Sequence, residues 1–329
     1  MTPGLGPADR FGRVMRTLRI SVTDRCDMRC TYCMPAGGMD WLPPAQLLSF
    51  EELVRVARIF VAMGVSRLRL TGGEPLLRKD LPRLVRSLAD LPGLRDLALT
   101  TNATRLEGLA PALKAAGLGR ATISLDSLDP GRFAAITRGG DLNRVWRGLL
   151  AAEAAGLAPL KLNAVVTPLN EPDLLDLAGL TLERAWDVRF IEAMPISAAV
   201  GPPEVGLPLA ALKRRIEERW GRLAPLVAEP SAPARRWRIP GARGAVGFIA
   251  SVSDSFCASC DRLRLSCTGR LQLCLAHPDG LDLRALLRAG ATDAALEGAI
   301  AEAVWRKPEG HAFHRQAPAP QAAMSRIGG

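Results

Sequence analysis

The chain has 329 residues, of which 48% are hydrophobic, so it is long enough to form about two domains or one barrel-sized domain with an appendage. The formal net charge is +10, from 43 Lys and Arg against 33 Asp and Glu, which favours ligands that carry phosphate or carboxylate groups. The basic residues are dispersed and do not form the block typical of a nucleic-acid tail or a membrane anchor, so we expect neither nucleic acid nor a membrane as a partner.

The N-terminal segment lacks the apolar stretch of a secretion signal, and no apolar run approaches the ~18 residues that a membrane span needs. We therefore expect a cytoplasmic protein. In that reducing compartment, the 7 cysteines are expected to bind metal or to take part in catalysis rather than to form disulfides. All but one of them fall into two groups of three.

Between about residues 16 and 195, short strand-like segments alternate with longer helix-like segments. The predicted strands cover 18–22, 67–70, 96–99, 121–125, 160–166 and 188–192. The predicted helices cover 50–63, 81–91, 106–116, 143–155 and 174–184, and Ser49 with Glu52 forms a capping box at the first of them. Repeated βα units imply parallel strands with right-handed crossovers, which leaves both a doubly wound sheet and an incomplete barrel open.

After residue 195 the pattern changes, and a Gly- and Pro-rich stretch leads into a second region. Its predicted helices cover 209–220, 283–289 and 293–305, and its predicted strands cover 236–239 and 246–251, followed by a hairpin at 262–275. We divide the chain into an N-terminal domain, 1–225, and a C-terminal region, 226–329.

The first cysteine triplet, Cys26, Cys30 and Cys33, has the spacing C-x3-C-x2-C on the loop after the first predicted strand. Three thiolates from one tight loop can hold three irons of a 4Fe-4S cluster and leave the fourth iron open to a ligand. A zinc site would need a fourth ligand, and no other Cys or His lies near the triplet in the sequence. Tyr32 is either a packing residue or a ring beside whatever the open iron binds.

The second cysteine triplet, Cys257, Cys260 and Cys274, also lacks an obvious fourth ligand. A second open cluster is one interpretation, and a zinc ribbon with a distant fourth ligand is the other. Cys267 alternates with the leucines of its predicted strand, which indicates a buried core thiol rather than a metal ligand.

The hairpin that carries Cys274 has a predicted register. A three-residue loop at 268–270 would place Arg264 opposite Cys274. Arg262 and Arg264 would then project on the cluster side, where their guanidinium groups would meet a ligand at the open iron. A solvated basic face is the alternative.

These residues resemble two nested families. The first triplet with Tyr32, followed by Thr71-Gly72-Gly73-Glu74-Pro75, resembles the radical S-adenosylmethionine (SAM) enzymes. Motifs over nearly the whole chain resemble one branch of them, the GTP 3′,8-cyclase (MoaA) family of molybdenum cofactor biosynthesis. These motifs are Thr23-Asp24-Arg25-Cys26, Thr100-Thr101-Asn102, Ser124-Leu125-Asp126-Ser127, Ile136-Thr137-Arg138-Gly139-Gly140, Arg189-Phe190-Ile191-Glu192, Arg262-Leu263-Arg264-Leu265 and the terminal Gly328-Gly329.

The resemblance implies an α/β fold, namely an incomplete (βα)6 barrel of the triosephosphate isomerase (TIM) type with a C-terminal α+β region covering the open side. The predicted strands agree with it, because the motifs follow the C-terminal ends of these strands, where barrel enzymes place their chemistry.

The resemblance further implies two 4Fe-4S clusters, with SAM at the open iron of the first and GTP at the open iron of the second. The expected SAM-binding residues are Tyr32, Gly73, Ser124 and Met194, with Asn163 as a weaker candidate. The expected GTP-binding residues, whose guanidinium and ammonium groups suit a triphosphate, are Arg19, Arg69, Thr100, Lys161, Arg189, Arg262 and Arg264. A catalytic role is expected for Arg262, Arg264, Gly328 and Gly329.

The implied activity is a lyase reaction. Reductive cleavage of SAM gives a 5′-deoxyadenosyl radical that abstracts the ribose 3′ hydrogen of GTP and leads to (8S)-3′,8-cyclo-7,8-dihydroguanosine 5′-triphosphate. The other expected partners are a reductant protein such as flavodoxin or ferredoxin, the cyclic pyranopterin monophosphate synthase downstream, and a second copy of the chain in a homodimer. Two alternatives stay open: another two-cluster radical SAM enzyme acting on a peptide or sugar, and a non-enzymatic zinc or iron-sulfur protein that binds nucleic acid.

Three residues depart from the family pattern. Asp27 and Asp261 stand beside cluster cysteines where Asn is common, and Arg67 stands where Lys is frequent. The two carboxylates are expected to add negative charge near the clusters and to shift their reduction potentials.

Overall fold

Short runs that alternate apolar with charged or polar residues form the strands of one mixed sheet. The computed structural model describes residues 6–196, 204–227, 231–311, 313 and 324–328. The strands are β1 (Thr17–Ser21), β2 (Arg67–Thr71), β3 (Asp96–Thr101), β4 (Arg120–Ser124), β5 (Lys161–Val166), β6 (Asp187–Glu192), β7 (Ala224–Pro225), β8 (Arg235–Arg238), β9 (Ala245–Ile249), β10 (Arg262–Leu265), β11 (Arg270–Gln272) and β12 (Gly280–Asp282).

The strand order among the described residues is β12-β11-β10-β1-β2-β3-β4-β5-β6-β9-β8-β7. The central strands, from β10 through β1 to β6 and on to β9, are all parallel, and the two strands at each edge are antiparallel. The predicted six βα units are therefore confirmed. The C-terminal region extends them at both edges, since β10 pairs with β1 and β9 pairs with β6. The division at residue 225 stays a proposal, because both parts build the same sheet.

Of the ten α-helices in the described residues, eight begin and end close to their predicted residues, and two, Pro130–Thr137 and Met324–Ile327, were not predicted. They are α1 (Phe50–Ala62), α2 (Leu81–Ala89), α3 (Leu106–Ala115), α4 (Pro130–Thr137), α5 (Leu142–Ala154), α6 (Leu174–Glu183), α7 (Leu209–Trp220), α8 (Leu283–Arg288), α9 (Asp293–Trp305) and α10 (Met324–Ile327). The capping box of Ser49 and Glu52 is present at α1. The sequence did not predict α4, a short helix that Asp129 caps by accepting a hydrogen bond from the backbone N–H of Arg132. None of the helices in the described ranges has the length and apolar character to cross a membrane.

The inner strands bury alternate residues in the hydrophobic core. On β1 and β2 these are Leu18, Ile20, Leu68 and Leu70, each at most 1% exposed, in one cluster with residues of α1 and α2. Because neighbouring residues of a strand point to opposite faces, the residues between these leucines and isoleucines face the inside of the curved sheet. This alternation places the charged residues of the strands around one internal cavity.

The predicted register of the β10–β11 hairpin is wrong. Arg264 lies opposite Gln272 rather than Cys274. The chain reverses one residue earlier than predicted because Gly269 takes a φ of 84° and the Ser266 hydroxyl accepts a hydrogen bond from the backbone N–H of Arg270. Cys267 lies in this turn and is 1% exposed, so its burial is confirmed although its strand position is not.

Candidate active site

A cavity of about 310 Å³ lies on the inner face of the sheet. Charged side chains of β1, β2, β5, β6 and β10 line it, and so do all three cysteines of the second triplet. The geometry therefore brings together residues that are far apart in the sequence. Every residue expected to bind GTP lines this one cavity: Arg19, Arg69, Thr100, Lys161, Arg189, Arg262 and Arg264.

Three arginines lie side by side across β10, β1 and β2. Arg19 is the register partner of Arg264 on one side and of Arg69 on the other. Burial lowers the pKa of Arg19 well below its usual value, and the positive charges of Arg264 and Arg69 lower it further. Burial also lowers the pKa of Arg69 and of Arg264 to about 10, with further contributions from nearby arginines. Like charges held this close in a buried row favour an anionic ligand.

Lys161, at the start of β5, adds an ammonium group to the same cavity. Burial, and then the charges of Arg189 and Arg120, lower its pKa from 10.5 to about 7. Carboxylates near this group lie at the beginnings of strands: Asp96 begins β3 and Asp187 begins β6. An anion in the cavity would offset the surrounding positive charges and raise this pKa again, so Lys161 would then take up a proton.

Three buried polar atoms that line the cavity have no hydrogen-bond partner among the described residues. They are Thr100 Oγ1, Asn163 Oδ1 and one terminal nitrogen of Arg262. Buried polar atoms are nearly always paired, so atoms of this kind around a cavity point to a polar ligand. The guanidinium of Arg262 also lies 4.5 Å from the centre of the Phe256 ring, which fixes its orientation.

The first cysteine triplet lies on the loop after β1, near the ends of β3 and β4. Burial raises the pKa of Cys26 to about 12 and of Cys33 to about 11, and burial followed by the charge of Asp126 raises the pKa of Cys30. Cys26 also lies near the carboxylates of Glu74 and Asp27. Thiols in such surroundings keep their protons until a metal displaces them.

Tyr32 is held in place by a hydrogen bond that the sequence did not reveal. Its hydroxyl donates to Asp126 Oδ2 at 2.7 Å, and Asp126 Oδ1 accepts from the backbone N–H of Val165 at 2.8 Å. Burial raises the pKa of Asp126 to about 6. The tyrosine inside the first triplet is thereby tied to the ends of β4 and β5. Asp126 belongs to a motif that the sequence pointed to, but no role could be assigned to it there.

Gly73 is required by the close packing of two loops. A Cβ at Gly73 would lie 2.3 Å from the carbonyl oxygen of Arg25, on the cysteine loop. The next residue, Glu74, is buried and accepts hydrogen bonds from Thr101 Oγ1 at 2.7 Å and from the backbone N–H of Asn102 at 2.6 Å. The motif after β2 therefore joins the cysteine loop to the end of β3.

The remaining residues expected at the SAM site lie on β4 and β5 and just after β6. Ser124 is the last residue of β4 and the register partner of Asn163 on β5. Met194 follows β6 and lines the cavity together with Asn163. Two of the residues expected at the SAM site therefore border the same cavity as the residues expected to bind GTP.

The second triplet has a different electrostatic environment. The pKa of Cys260 is lowered overall. Burial acts to raise it, but the positive charges of Lys307 and Arg262 and hydrogen bonds from Arg262 have the larger combined effect. Burial raises the pKa of Cys274. Cations therefore surround this triplet, whereas carboxylates surround the first.

Within the described ranges, no group of three or more His, Cys, Asp or Glu side chains is arranged to bind a single metal ion. A tetrahedral zinc site would require such a group. A 4Fe-4S cluster needs only that each thiolate reach its own iron atom. Each set of three half-buried thiols fits that requirement in its residue types, and the second set also borders a cavity with unpaired polar atoms.

The departures from the family pattern are compensated by local partners. Asp261 accepts a hydrogen bond from Arg67 at 3.0 Å, so two of the three departing residues form an ion pair. Asp27 accepts from Asn102 Nδ2 and from Thr104 Oγ1, each at 2.7 Å. Neither carboxylate is left without a partner beside a cysteine.

The C-terminal segment reaches the cavity. Met324 lines it, and the carbonyl oxygen of Gly328 accepts a hydrogen bond from the guanidinium of Arg264. Gly329 lies outside the described residues. Sequence reasoning also missed Lys307 and Arg13, two buried cations beside the second triplet, because neither belongs to a recognisable motif.

Comparisons with known proteins show the family of the chain. The sequence profile of the Radical SAM superfamily matches residues 20–181, and that of Molybdenum Cofactor Synthesis C matches residues 186–313. A GTP 3′,8-cyclase of Moorella thermoacetica is 45% identical over 98% of this chain and 99% of its own length. One of Gloeobacter violaceus is 49% identical over 89% of this chain and 91% of its own length.

Among solved structures, Streptococcus suis SuiB bound to S-adenosylmethionine aligns with a TM-score of 0.60 and 14% identity, over 95% of this chain and 75% of that one. At this identity the likeness supports the partial-barrel fold. The fold and the first cysteine triplet define the chain as a radical SAM protein. With close relatives along almost its whole length, it belongs, more narrowly, to the GTP 3′,8-cyclase family.

Proposed function

We propose that this chain is an enzyme that converts GTP into its isomer (8S)-3′,8-cyclo-7,8-dihydroguanosine 5′-triphosphate, the first step of molybdenum cofactor biosynthesis. A 5′-deoxyadenosyl radical from SAM removes the ribose 3′ hydrogen, and one electron and one proton are added after the ring closes. The single observation that carries the proposal is the basic cavity that the second triplet borders. Near full-length similarity to known GTP 3′,8-cyclases supports it.

The proposed cofactors are two 4Fe-4S clusters, held by Cys26, Cys30 and Cys33 and by Cys257, Cys260 and Cys274, together with SAM. When bound at the first triplet, a cluster supplies the electron that cleaves SAM reductively into methionine and a 5′-deoxyadenosyl radical. The chain contributes the surroundings of this chemistry. Tyr32, held by Asp126, and Gly73, packed on the cysteine loop, shape the SAM site together with Ser124, Asn163 and Met194.

The triphosphate of GTP is proposed to lie against the row of Arg264, Arg19 and Arg69, with Lys161 and Arg189 on the opposite strands. Guanidinium groups can donate two parallel hydrogen bonds to phosphate oxygens, and binding removes the repulsion between the buried cations. The unpaired atoms of Thr100 and Arg262 supply further polar contacts. Guanine then lies toward the second triplet.

A catalytic role is proposed for Arg262, Arg264 and the terminal glycines. Both arginines line the cavity, and Arg264 binds the Gly328 carbonyl. The reductive step needs an electron donor, for which a flavodoxin or ferredoxin is proposed. The downstream partner is proposed to be the cyclic pyranopterin monophosphate synthase, and a homodimer is proposed as the assembly.

The alternative is a two-cluster radical SAM enzyme that acts on a peptide or sugar. A peptide or sugar does not need several arginines and a lysine in one buried cavity for its binding. A triphosphate does, because its charge offsets theirs.

The test is an anaerobic assay of reconstituted protein with SAM, dithionite and each of the four common ribonucleoside triphosphates in turn. We expect about eight irons per chain for two clusters and a cyclised product from GTP only. Slow SAM cleavage that is the same with every nucleotide would contradict the cyclase function and favour the peptide or sugar alternative. About four irons per chain would contradict the second cluster.

A further inference from the structure

A buried lysine lies beside the second cysteine triplet and lines the same cavity. Lys307 follows α9, and its side chain is 2% exposed. Its ammonium donates hydrogen bonds to the backbone carbonyl of Arg262, at 3.0 Å, and to that of Leu273. These two carbonyls belong to the segments that carry Cys260 and Cys274. One side chain therefore joins the two segments that carry the three cysteines.

The charge of Lys307 has no carboxylate partner among the described residues. A neighbouring buried cation, Arg13, is neutralised by Asp9 at 2.6 Å and donates a hydrogen bond to the carbonyl oxygen of Cys257, on the same segment as Cys260, at 2.8 Å. Burial lowers the pKa of Lys307, whereas Cys260 and Cys274 raise it as thiolates and Arg13 and Arg262 lower it further. Burying an ammonium without an anion is costly, so the anion at this place is the sulfur site itself.

The first triplet has acidic neighbours instead. The charged side chains that act on Cys26 and Cys30, apart from the other thiols, are the carboxylates of Glu74, Asp27 and Asp126. The two sites thus lie in electrostatic fields of opposite sign. A cluster gains negative charge when it is reduced, and a nearby buried cation stabilises the reduced form relative to the oxidised one.

We propose that Lys307 is a positioning residue of the second cluster, which holds the cysteine-bearing segments together through two backbone carbonyls and raises the reduction potential of the cluster through its buried charge. The inference rests on the second cluster proposed above and extends it to a residue outside the cysteine and arginine motifs. It accounts for a buried cation that lines the basic cavity but is not among the residues expected to bind GTP.

Three substitutions separate the two roles. Lys307→Gln keeps N–H donors for the carbonyls and removes the charge, Lys307→Met removes both, and Lys307→Arg keeps both. Lys114→Met is the matched control, because Lys114 is exposed on α3, far from either triplet in the fold, and the change removes the same charge.

The full chain carrying Cys26→Ala, Cys30→Ala and Cys33→Ala keeps only the second triplet and isolates its signal. After anaerobic reconstitution, iron content and the midpoint potential are measured, the latter by a redox titration followed by electron paramagnetic resonance. We expect the potential to shift to a more negative value with Lys307→Gln and Lys307→Met, and to stay unchanged with Lys307→Arg and Lys114→Met. Iron content should fall only with Lys307→Met, because only that change removes the hydrogen bonds.

An unchanged potential in the Lys307→Gln protein, with its cluster present, overturns the inference and leaves the second cluster intact. Absence of any cluster from the protein that keeps only the second triplet overturns the second cluster and the inference together. If Lys307→Met prevents folding, the comparison of Lys307→Gln with Lys307→Arg still tests whether the charge sets the potential. Both variants retain hydrogen-bond donors, and they differ in charge.

Discussion

Arg264 donates a hydrogen bond to the carbonyl oxygen of Gly328, so the end of the chain meets the strand that follows Cys260. Gly328 has a φ of 79°, and a Cβ at this position would lie 2.3 Å from Cγ2 of Thr71 on β2. Both the left-handed backbone and the close contact therefore require glycine. The contact places the C-terminal segment against two strands that line the basic cavity.

The first prediction concerns Gly328→Ala. The methyl group would meet Thr71 and displace the segment from Arg264, so we expect turnover to fall about tenfold or more, which corresponds to ~1.4 kcal/mol or more in the barrier. Steady-state formation of cyclised product measures it. Gly290→Ala is the control, because Gly290 also has a φ of 79° but a Cβ there would meet no atom of the described structure within 4 Å. Equal loss of turnover in both variants would contradict a role for the contact.

The second prediction concerns the pH dependence of GTP binding through Lys161. Its pKa is lowered to about 7 without a ligand, and the negative charge of a triphosphate raises the pKa when it binds. Binding above pH 7 therefore takes up a proton, and this contribution to affinity is full below pH 7 and declines as the pH rises. Calorimetry at pH 8 in buffers of different ionisation enthalpy counts the protons.

Two variants isolate the contribution of Lys161. Lys161→Met should weaken GTP binding about 10- to 100-fold, the usual range for a charged hydrogen bond, and should reduce the proton uptake. Lys161→Arg should keep binding but also reduce the uptake, because a guanidinium stays charged at pH 8. The same uptake in all three proteins would show that another group, such as the nucleotide phosphate, is responsible.

The third prediction concerns the hydrogen bond between Tyr32 and Asp126. Tyr32→Phe removes the donor and frees the ring, while Asp126 still accepts from Val165. We expect the rate of 5′-deoxyadenosine formation at low SAM concentration to fall about 3- to 10-fold, in line with the loss of ~1 kcal/mol for one hydrogen bond. Iron content should stay at the wild-type value, and a parallel loss of iron would assign Tyr32 to cluster retention instead.

The sequence predicted those features that depend on local patterns. The βα alternation located the six strands of the barrel series, and the helices 209–220 and 293–305 match α7 and α9 at both ends. The spacing of Cys257, Cys260 and Cys274 and the alternation of Arg262 with Arg264 pointed to residues that line one cavity. Their roles there stay predictions. Local spacing was enough here because side chains alternate between the two faces of a strand, so the charged residues of this pattern share the inner face of the sheet.

Features that depend on tertiary contacts were missed. The hairpin register failed because the Ser266 side chain and the conformation of Gly269 moved the reversal by one residue. Lys307 could not be assigned, since its partners are backbone carbonyls from two other segments. The sequence also predicted that Asp261 adds negative charge near the second triplet. In the structure Arg67, on a strand far away in the sequence, forms an ion pair with Asp261 and offsets that charge.

The fourth prediction concerns this ion pair. Asp261 is 8% exposed and Arg67 is 28% exposed at their side chains, and Asp261 also accepts a hydrogen bond from Thr17 Oγ1 at 3.2 Å. Asp261→Asn takes this carboxylate away from a partly buried guanidinium, so it should lower the free energy of unfolding by about 1–3 kcal/mol. Urea unfolding of the metal-free protein measures the change without contributions from a cluster.

A double-mutant cycle with Arg67→Met tests whether the two residues act as a pair. Because Asp261→Asn already removes the counter-charge, Arg67→Met should cost less in that protein than in the wild type, with a coupling energy of about 0.5–3 kcal/mol. The matched cycle uses Arg147→Met and Glu107→Gln, an exposed ion pair at 3.0 Å, where the coupling should stay below about 1 kcal/mol. If the losses of unfolding free energy at Arg67 and Asp261 are additive, each residue stabilises the protein through contacts other than the ion pair. A clear coupling would mean that the two departures from the family pattern compensate each other at the edge of the second cysteine triplet.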